Sequence, residues 1–300
     1  RLRFRDDHQH HRSAVEVLRV SDFVVFAPNF TISSAGKRCL HELADDLVGR
    51  GLCASICGPE IRRPGAKAPP ISLPEARRGY GTVAIYPETV EGNPLRSLRV
   101  ARWCLNRPGL GGDERFPETD RVFWHTDAIE PFILGGRKVG KLHLPTLDSH
   151  IFYPPPPGST REGLAFYKGK HLDADPHEVP GVSDGLEITR SWPSHEELGP
   201  IFRRVRALVT FDDFTALTDE ARACDCPVVI SKRGPLALMD DERVLDCRDL
   251  GRSGVGWWLP GEHIETSIVR AGVPREVSRR LETVRMEYQE QLTQLIEEFR

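Results

Sequence analysis

The stretch FDDFTALTDEARACDCPVVI, residues 211–230, carries the densest chemistry in the chain. The apolar run ALVTF delivers Asp212 and Asp213 to its carboxyl end. Thr215 or Thr218 can cap the helix that follows, and the open N–H groups of a helix start offer an anion site. Glu220 falls in the early part of that helix, eight residues after Asp212. A carboxylate there can accept two hydroxyls of a ribose or sugar while the amides face a phosphate. Ordinary capping alone would explain Asp213, Thr215 and Thr218. It explains the whole arrangement less well, and on spacing both readings stand.

Other chemical groups point elsewhere. Cys53/Cys57 and Cys224/Cys226 lack a second pair at zinc-site spacing. His8, His10 and His11 read as a solvated terminal segment. The seven cysteines, in apolar or helical contexts, read as reduced core thiols of a cytosolic protein. The loop NFTISSAGK after the first apolar run holds one glycine, not the G-x-G-x-x-G of a dinucleotide site.

The elements that must position these residues follow from pattern. DFVVFAP (22–28), LCASICG (52–58), GTVAIYP (81–87) and RVFWHTD (121–127) read as buried strands. KRCLHELADDLVGRG repeats Leu40, Leu43, Ala44, Leu47 and Val48 at helical spacing, with Gly51 closing the helix. Pro94 to Leu105 also reads as a helix, so the first half is expected to alternate strand and helix. Four consecutive prolines in YPPPPGSTREG (153–163) exclude helix and central strand and mark an interdomain linker. The pattern then restarts. GLAFYKGK, LEITR, ALVTFD and PVVIS read as strands. SHEELGPIFRRV reads as a helix with a capping box of Ser194 and Glu197, and TALTDEARAC as another helix. From Pro274 the tail reads as one amphipathic helix with Val277, Leu281, Val284, Met286, Tyr288, Leu292, Leu295 and Ile296 on its apolar face.

Bulk numbers agree with two domains. The chain has 300 residues, 39% hydrophobic and 28% charged. A net charge of -3 offers no basic excess for nucleic acid. No apolar run approaches the roughly 18–20 residues of a membrane span. The chain opens on Arg1, as a fragment or processed start would, and no secretory signal pattern is visible. The expected fold is α/β, with two Rossmann-like parallel-sheet domains facing a cleft. The expected division is 1–152, 153–273 and a C-terminal helix, 274–300, packing back on the protein. In open α/β sheets ligands bind outside the carboxyl ends of the strands.

Residues 211–230 resemble the donor-binding segment of GT-B fold glycosyltransferases. There an acidic residue, seven intervening residues and a Glu precede a small-residue helix and a G-x-PVV-like strand. Here the pair is Asp212 and Glu220, with Asp rather than Glu first and Cys226 before Pro227. SSAGKRCLHELADDLVGRGLCASI is similar to the first strand–loop–helix of that family, and GLAFYKGKH to the start of its second domain. AIYPETVEGNPLRSLRVARWCLNRPG is similar to a segment of bacterial polysaccharide glycosyltransferases. The resemblance covers most of the chain. It implies that Glu220 holds the nucleotide ribose and that Asp212, Phe214, Thr215, Ala216 and Leu217 line the donor. It implies that Gly36 lets a phosphate approach the backbone and that Lys168 and Lys170 serve the diphosphate.

The implied activity is transfer of a hexosyl or related sugar from a nucleotide-sugar to a glycan or lipid-linked acceptor. Charge on the leaving diphosphate would be met by Lys168, Lys170 and the helix before Glu220. That layout needs no metal and no cofactor, and no DxD-like pair lies where a metal-dependent enzyme of the other major fold would use it. Asp45-Asp46 falls mid-helix and Asp240-Asp241 in a loop. An inverting enzyme needs a base for the acceptor hydroxyl, for which Glu88, His125 and Asp127 are the candidates. For His125 a half-buried structural role is the competing reading. The expected setting is cytoplasmic, with room for peripheral contact at the inner face of a membrane. The alternatives are a GT-B nucleotide-sugar epimerase and a catalytically silent sugar-nucleotide-binding protein.

Overall fold

Short runs that are apolar on both faces suit strands covered on both sides, as in parallel sheets, and the described residues build two such sheets. The computed structural model describes residues 22–79, 81–189, 194–212, 214–231 and 248–300. The first sheet comprises β1 (Phe23–Phe26), β2 (Ala54–Cys57), β3 (Pro70–Ile71), β4 (Val83–Pro87), β5 (Arg99–Cys104), β6 (Arg115–Trp124) and β7 (Leu134–Lys141), in the order β3-β2-β1-β4-β5-β6-β7. The second comprises β8 (Leu164–Tyr167), β9 (Leu186–Ile188), β10 (Ala207–Thr210), β11 (Val228–Ser231) and β12 (Val255–Trp258), in the order β12-β11-β10-β8-β9. Every pairing in both sheets is parallel. The proline-rich segment 153–163 lies between the last strand of one sheet and the first of the other. Asp213, the HQHH histidines, Asp240-Asp241 and Cys247 lie outside the described residues. The six described cysteines are free thiols.

Helix α1 (Ala35–Gly49) follows β1. Its Ser34 cap accepts from the Lys37 amide, and Leu40, Leu43, Ala44 and Leu47 pack with Phe23, Val25 and Ile56. Gly51 supplies the left-handed residue (φ 78°) that ends the helix, a conformation cheap only for glycine. Among the described residues the remaining α-helices are α2 (Leu73–Ala76), α3 (His195–Arg204), α4 (Leu217–Ala223), α5 (Ile264–Ala271) and α6 (Val277–Glu298). No described helix is long and apolar enough to cross a membrane.

Three expectations are corrected. Pro94 to Leu105 is not a helix. Asn93 folds back on Ser97, Arg96 takes φ 57°, and Leu98 is 93% exposed. The following RVARWC is β5, a central strand between β4 and β6. Ala101 and Trp103 pack on one face, Val100 and Cys104 on the other. Arg102 lies buried on that second face, bonded to Asp120 at 2.8 Å and flanked by Tyr86 and Phe116. A charged residue inside a buried strand hides the period-two pattern. Strands β4 to β7 therefore follow one another through loops and a 3-10 turn (Glu130–Phe132), not through helices. Second, Ser194 accepts from the Glu196 amide rather than forming a box with Glu197; the capping box forms at Ser72 and Glu75. Third, Met286 lies on the outer side of α6, 64% exposed, although the rest of the expected apolar face is buried.

Helix α6 spans both domains. Val277, Leu281 and Val284 join the core under the second sheet, whereas Tyr288, Leu292, Leu295 and Ile296 join that of the first. Glu298 pairs with Arg121 and Arg137 on β6 and β7, and Tyr288 donates to Asp46 of α1 at 2.8 Å.

Candidate functional site

Residues just beyond the strand ends of both sheets wall one cavity of about 730 Å³, where doubly wound sheets hold ligands. Glu88 follows β4, His125 follows β6, Lys170 follows β8 and Asp212 follows β10. In the second sheet the chain steps from β8 to β9 on one side, then crosses back to β10 on the other. This reversal opens a crevice between the β8 and β10 loops.

Asp212 braces that crevice. One oxygen accepts from the Lys170 amide and the other from Lys170 Nζ, both at 3.3 Å, and Nζ also donates to the Phe214 carbonyl at 3.2 Å. The loops approach so closely that a Cβ on Gly169 would lie 2.3 Å from the Asp212 Cβ, at φ 62°. Glycine is thus required between Lys168 and Lys170. Lys170 lines the cavity, whereas Lys168 is half-buried outside its lining. Phe214 crosses the cleft and packs against the cluster of Cys104, Phe116 and Ile129 in the first domain.

Helix α4 starts between its two threonines, and neither is its cap residue. Ala216 is the cap residue without a side-chain bond, and Thr215 Oγ1 accepts from the Leu217 amide at 3.3 Å. Thr215, Ala216 and Leu217 line the cavity, as does Glu220. The Thr218 hydroxyl is buried and has no partner among the described residues.

Glu220 is 2% exposed. Its Oε1 accepts from Arg38 Nη2 at 2.8 Å, while Oε2 has no hydrogen-bond partner among the described residues. Arg38 also reaches His195 Nδ1 at 3.2 Å and the Thr146 carbonyl at 3.3 Å. Burial holds His195 below the usual imidazole range, with Glu220 opposing this and Arg38 adding to it. A guanidinium only donates, so His195 Nδ1 accepts and its proton sits on Nε2, which faces Glu220 Oε1 at 3.7 Å.

Across the cavity stands Glu88, 5% exposed. Burial pushes its carboxyl up to about 7, against hydrogen bonds from backbone amides, Leu105 among them at 2.9 Å, and the charge of Lys170. His125 also lines the cavity. Burial first, then His143 and Lys141, push it well below the usual imidazole range. Its ring lies 4.3 Å from that of His143, and its Nδ1 has no partner among the described residues. Asp127 stands outside the lining and pairs with Lys141 at 2.8 Å. Burial raises its carboxyl, but bonds from Lys141 and Trp124 outweigh this and hold it below the usual range. Gly36 lies in the first turn of α1 at the cavity wall. A Cβ there would meet only Leu105, at an ordinary 3.6 Å, so the protein's own packing does not demand glycine.

Ten of the twelve expected residues therefore share one cavity, and Lys168 and Asp127 do not. Sequence reasoning missed Arg38, His143 and His195. A signal for Arg38 existed: Arg38, His41 and Asp45 recur at helical spacing, and all three are buried. Among the described residues, no cluster of three His, Cys, Asp or Glu could hold a metal ion.

No protein-family model matches the sequence, and no curated protein does. Solved structures do match in fold. A sucrose-phosphate synthase from Thermosynechococcus elongatus superposes with a TM-score of 0.54 at 12% identity, over 92% of this chain and 98% of that one. AviGT4, a glycosyltransferase involved in avilamycin A biosynthesis, superposes with a TM-score of 0.54 at 13% identity, again over 92% and 98%. The likeness is one of fold: two Rossmann-like domains facing a cleft, the GT-B arrangement.

Proposed function

We propose that the chain is a glycosyltransferase, moving a hexosyl or related sugar from a nucleotide-sugar to a glycan or lipid-linked acceptor. The observation that carries this reading is Glu220, a buried carboxylate at the cavity wall with one oxygen paired and the other without a partner among the described residues. Buried acceptors are seldom left without a donor, and a ligand hydroxyl or a water can serve as one. A ribose hydroxyl supplies that donor, in a fold whose structural neighbours include glycosyltransferases.

In this reading the ribose rests on Glu220 and the diphosphate faces Lys170 and the amino end of α1 at Gly36 and Lys37. Cations and open amides there stabilise the charge that develops as the sugar leaves. Glu88 is the preferred base. With a carboxyl near 7 it is part-ionised at neutral pH and takes the proton of the acceptor hydroxyl. The acceptor oxygen bonds to the anomeric carbon as the bond to the diphosphate oxygen breaks, so nucleoside diphosphate leaves. His125 is the second candidate, and Asp127 is held by Lys141. No metal takes part in this scheme, so turnover should survive EDTA. A lipid-linked acceptor would be met by peripheral contact with a membrane.

The test is nucleotide release from UDP-, GDP-, dTDP- and ADP-hexoses and a CMP-sugar, with and without glycan acceptors. Release from one donor class, lost in Glu88→Gln and Glu220→Gln, supports the reading. Conversion of the donor sugar without any acceptor would favour an epimerase. Nucleotide binding with no turnover on any acceptor would favour a silent binding protein.

A further inference from the structure

We propose that Arg38 is a positioning residue acting across the cleft: it sets Glu220 for the ribose and couples that carboxylate to closure of the two domains. The inference rests on Glu220 being the ribose carboxylate of the proposed transferase. Arg38 belongs to α1 of the first domain, whereas Glu220 and His195 belong to α4 and α3 of the second. The side chains of the ion pair are 5% and 3% exposed. Opening the cleft would part them and lose their charge-assisted hydrogen bond.

The pairing is also directional. Arg38 Nη2 and the Nε2–H of His195 both face Oε1, and Arg38 Nη1 is spent on His195 Nδ1 and the Thr146 carbonyl. Oε1 is therefore taken, and Oε2, on a residue that lines the cavity, is the carboxylate oxygen without a partner among the described residues. Arg38 Nε is likewise without a partner among the described residues, so both members of the pair keep one polar atom for a ligand or a water. The planar fork of arginine makes the double reach feasible, which a lysine ammonium on its flexible stem does not reproduce.

Calorimetry with UDP, GDP and ADP and their 2′,3′-dideoxy forms, on the parent, Arg38→Gln and Glu220→Gln, tests this. For the nucleotide that binds, the parent should prefer the ribo form by about tenfold or more. Arg38→Gln should lose that preference and converge on Glu220→Gln, with the double variant no worse than either. A ribo/dideoxy ratio unchanged in Arg38→Gln, or equal weakening of both forms, overturns the proposal. Should Arg38→Gln fail to fold, Arg38→Lys replaces it. Solution scattering supplies a readout independent of ligand: the radius of gyration of the unliganded variant should exceed the parent's. A parent that binds none of the nucleotides defeats the transferase reading. Equal radii in that case also defeat the role of Arg38 at the seam.

Discussion

Glu88 shows how much one buried carboxylate can carry. Its folded pKa of about 7 lies above the ordinary 4.5, so the protonated form is favoured in the folded state. Its contribution is present in full below pH 4.5 and is lost as pH rises through 7, by about 3 kcal/mol in total. Glu88→Gln should therefore gain stability relative to the parent at pH 8 and almost none near pH 4.5, read by thermal denaturation at both. The same variant should abolish turnover, while the parent's kcat/KM rises with pH through about 7. Lys170→Ala should lower kcat more than donor affinity if the ammonium serves the leaving group; equal loss in both would make it a binding residue. At this scale the sequence was readable where acidic residues close strands, as at Glu88 and Asp212. It did not separate Lys168 from Lys170: the strand-end loop that turns at Gly169 puts Lys170 and not Lys168 in the cavity lining.

Among the elements, the β8 loop is the tightest. Gly169→Ala would place a methyl carbon against Asp212 and force an L-residue to positive φ. The expected cost is about 1–3 kcal/mol, with weaker nucleotide binding, measured by denaturation and calorimetry. Element type was legible wherever runs were uniformly apolar, as in FVVF, VAIYP and VVIS. It was not legible at β5, where Arg102 interrupts the run and its partner Asp120 lies on the next strand. Helix α4 was legible as a helix but not in its start, since its cap residue is Ala216 and Thr215 bonds the Leu217 amide from one position earlier.

For the whole molecule, the two sheets were readable from the restart of the pattern after the prolines. The seam between them was not. Arg38 and Glu220 stand 182 residues apart, and no local pattern announces such a pairing. Helix α6 joins both cores, and Lys141 and His143 of the first domain pair with Asp249 of the second. Thermal unfolding should accordingly be one cooperative transition in calorimetry, with two resolved transitions as the opposing result.

The central claim is that Glu220 receives the ribose of a nucleotide. The most direct measurement is a thermal-shift screen of the parent and Glu220→Gln against UDP, GDP, dTDP, ADP and CMP, with NAD as control. One of the five nucleotides should stabilise the parent, by about 2.7 kcal/mol at a hundred times its Kd, and stabilise Glu220→Gln far less. Stabilisation by NAD alone, by none of them, or equally in both proteins would contradict the account.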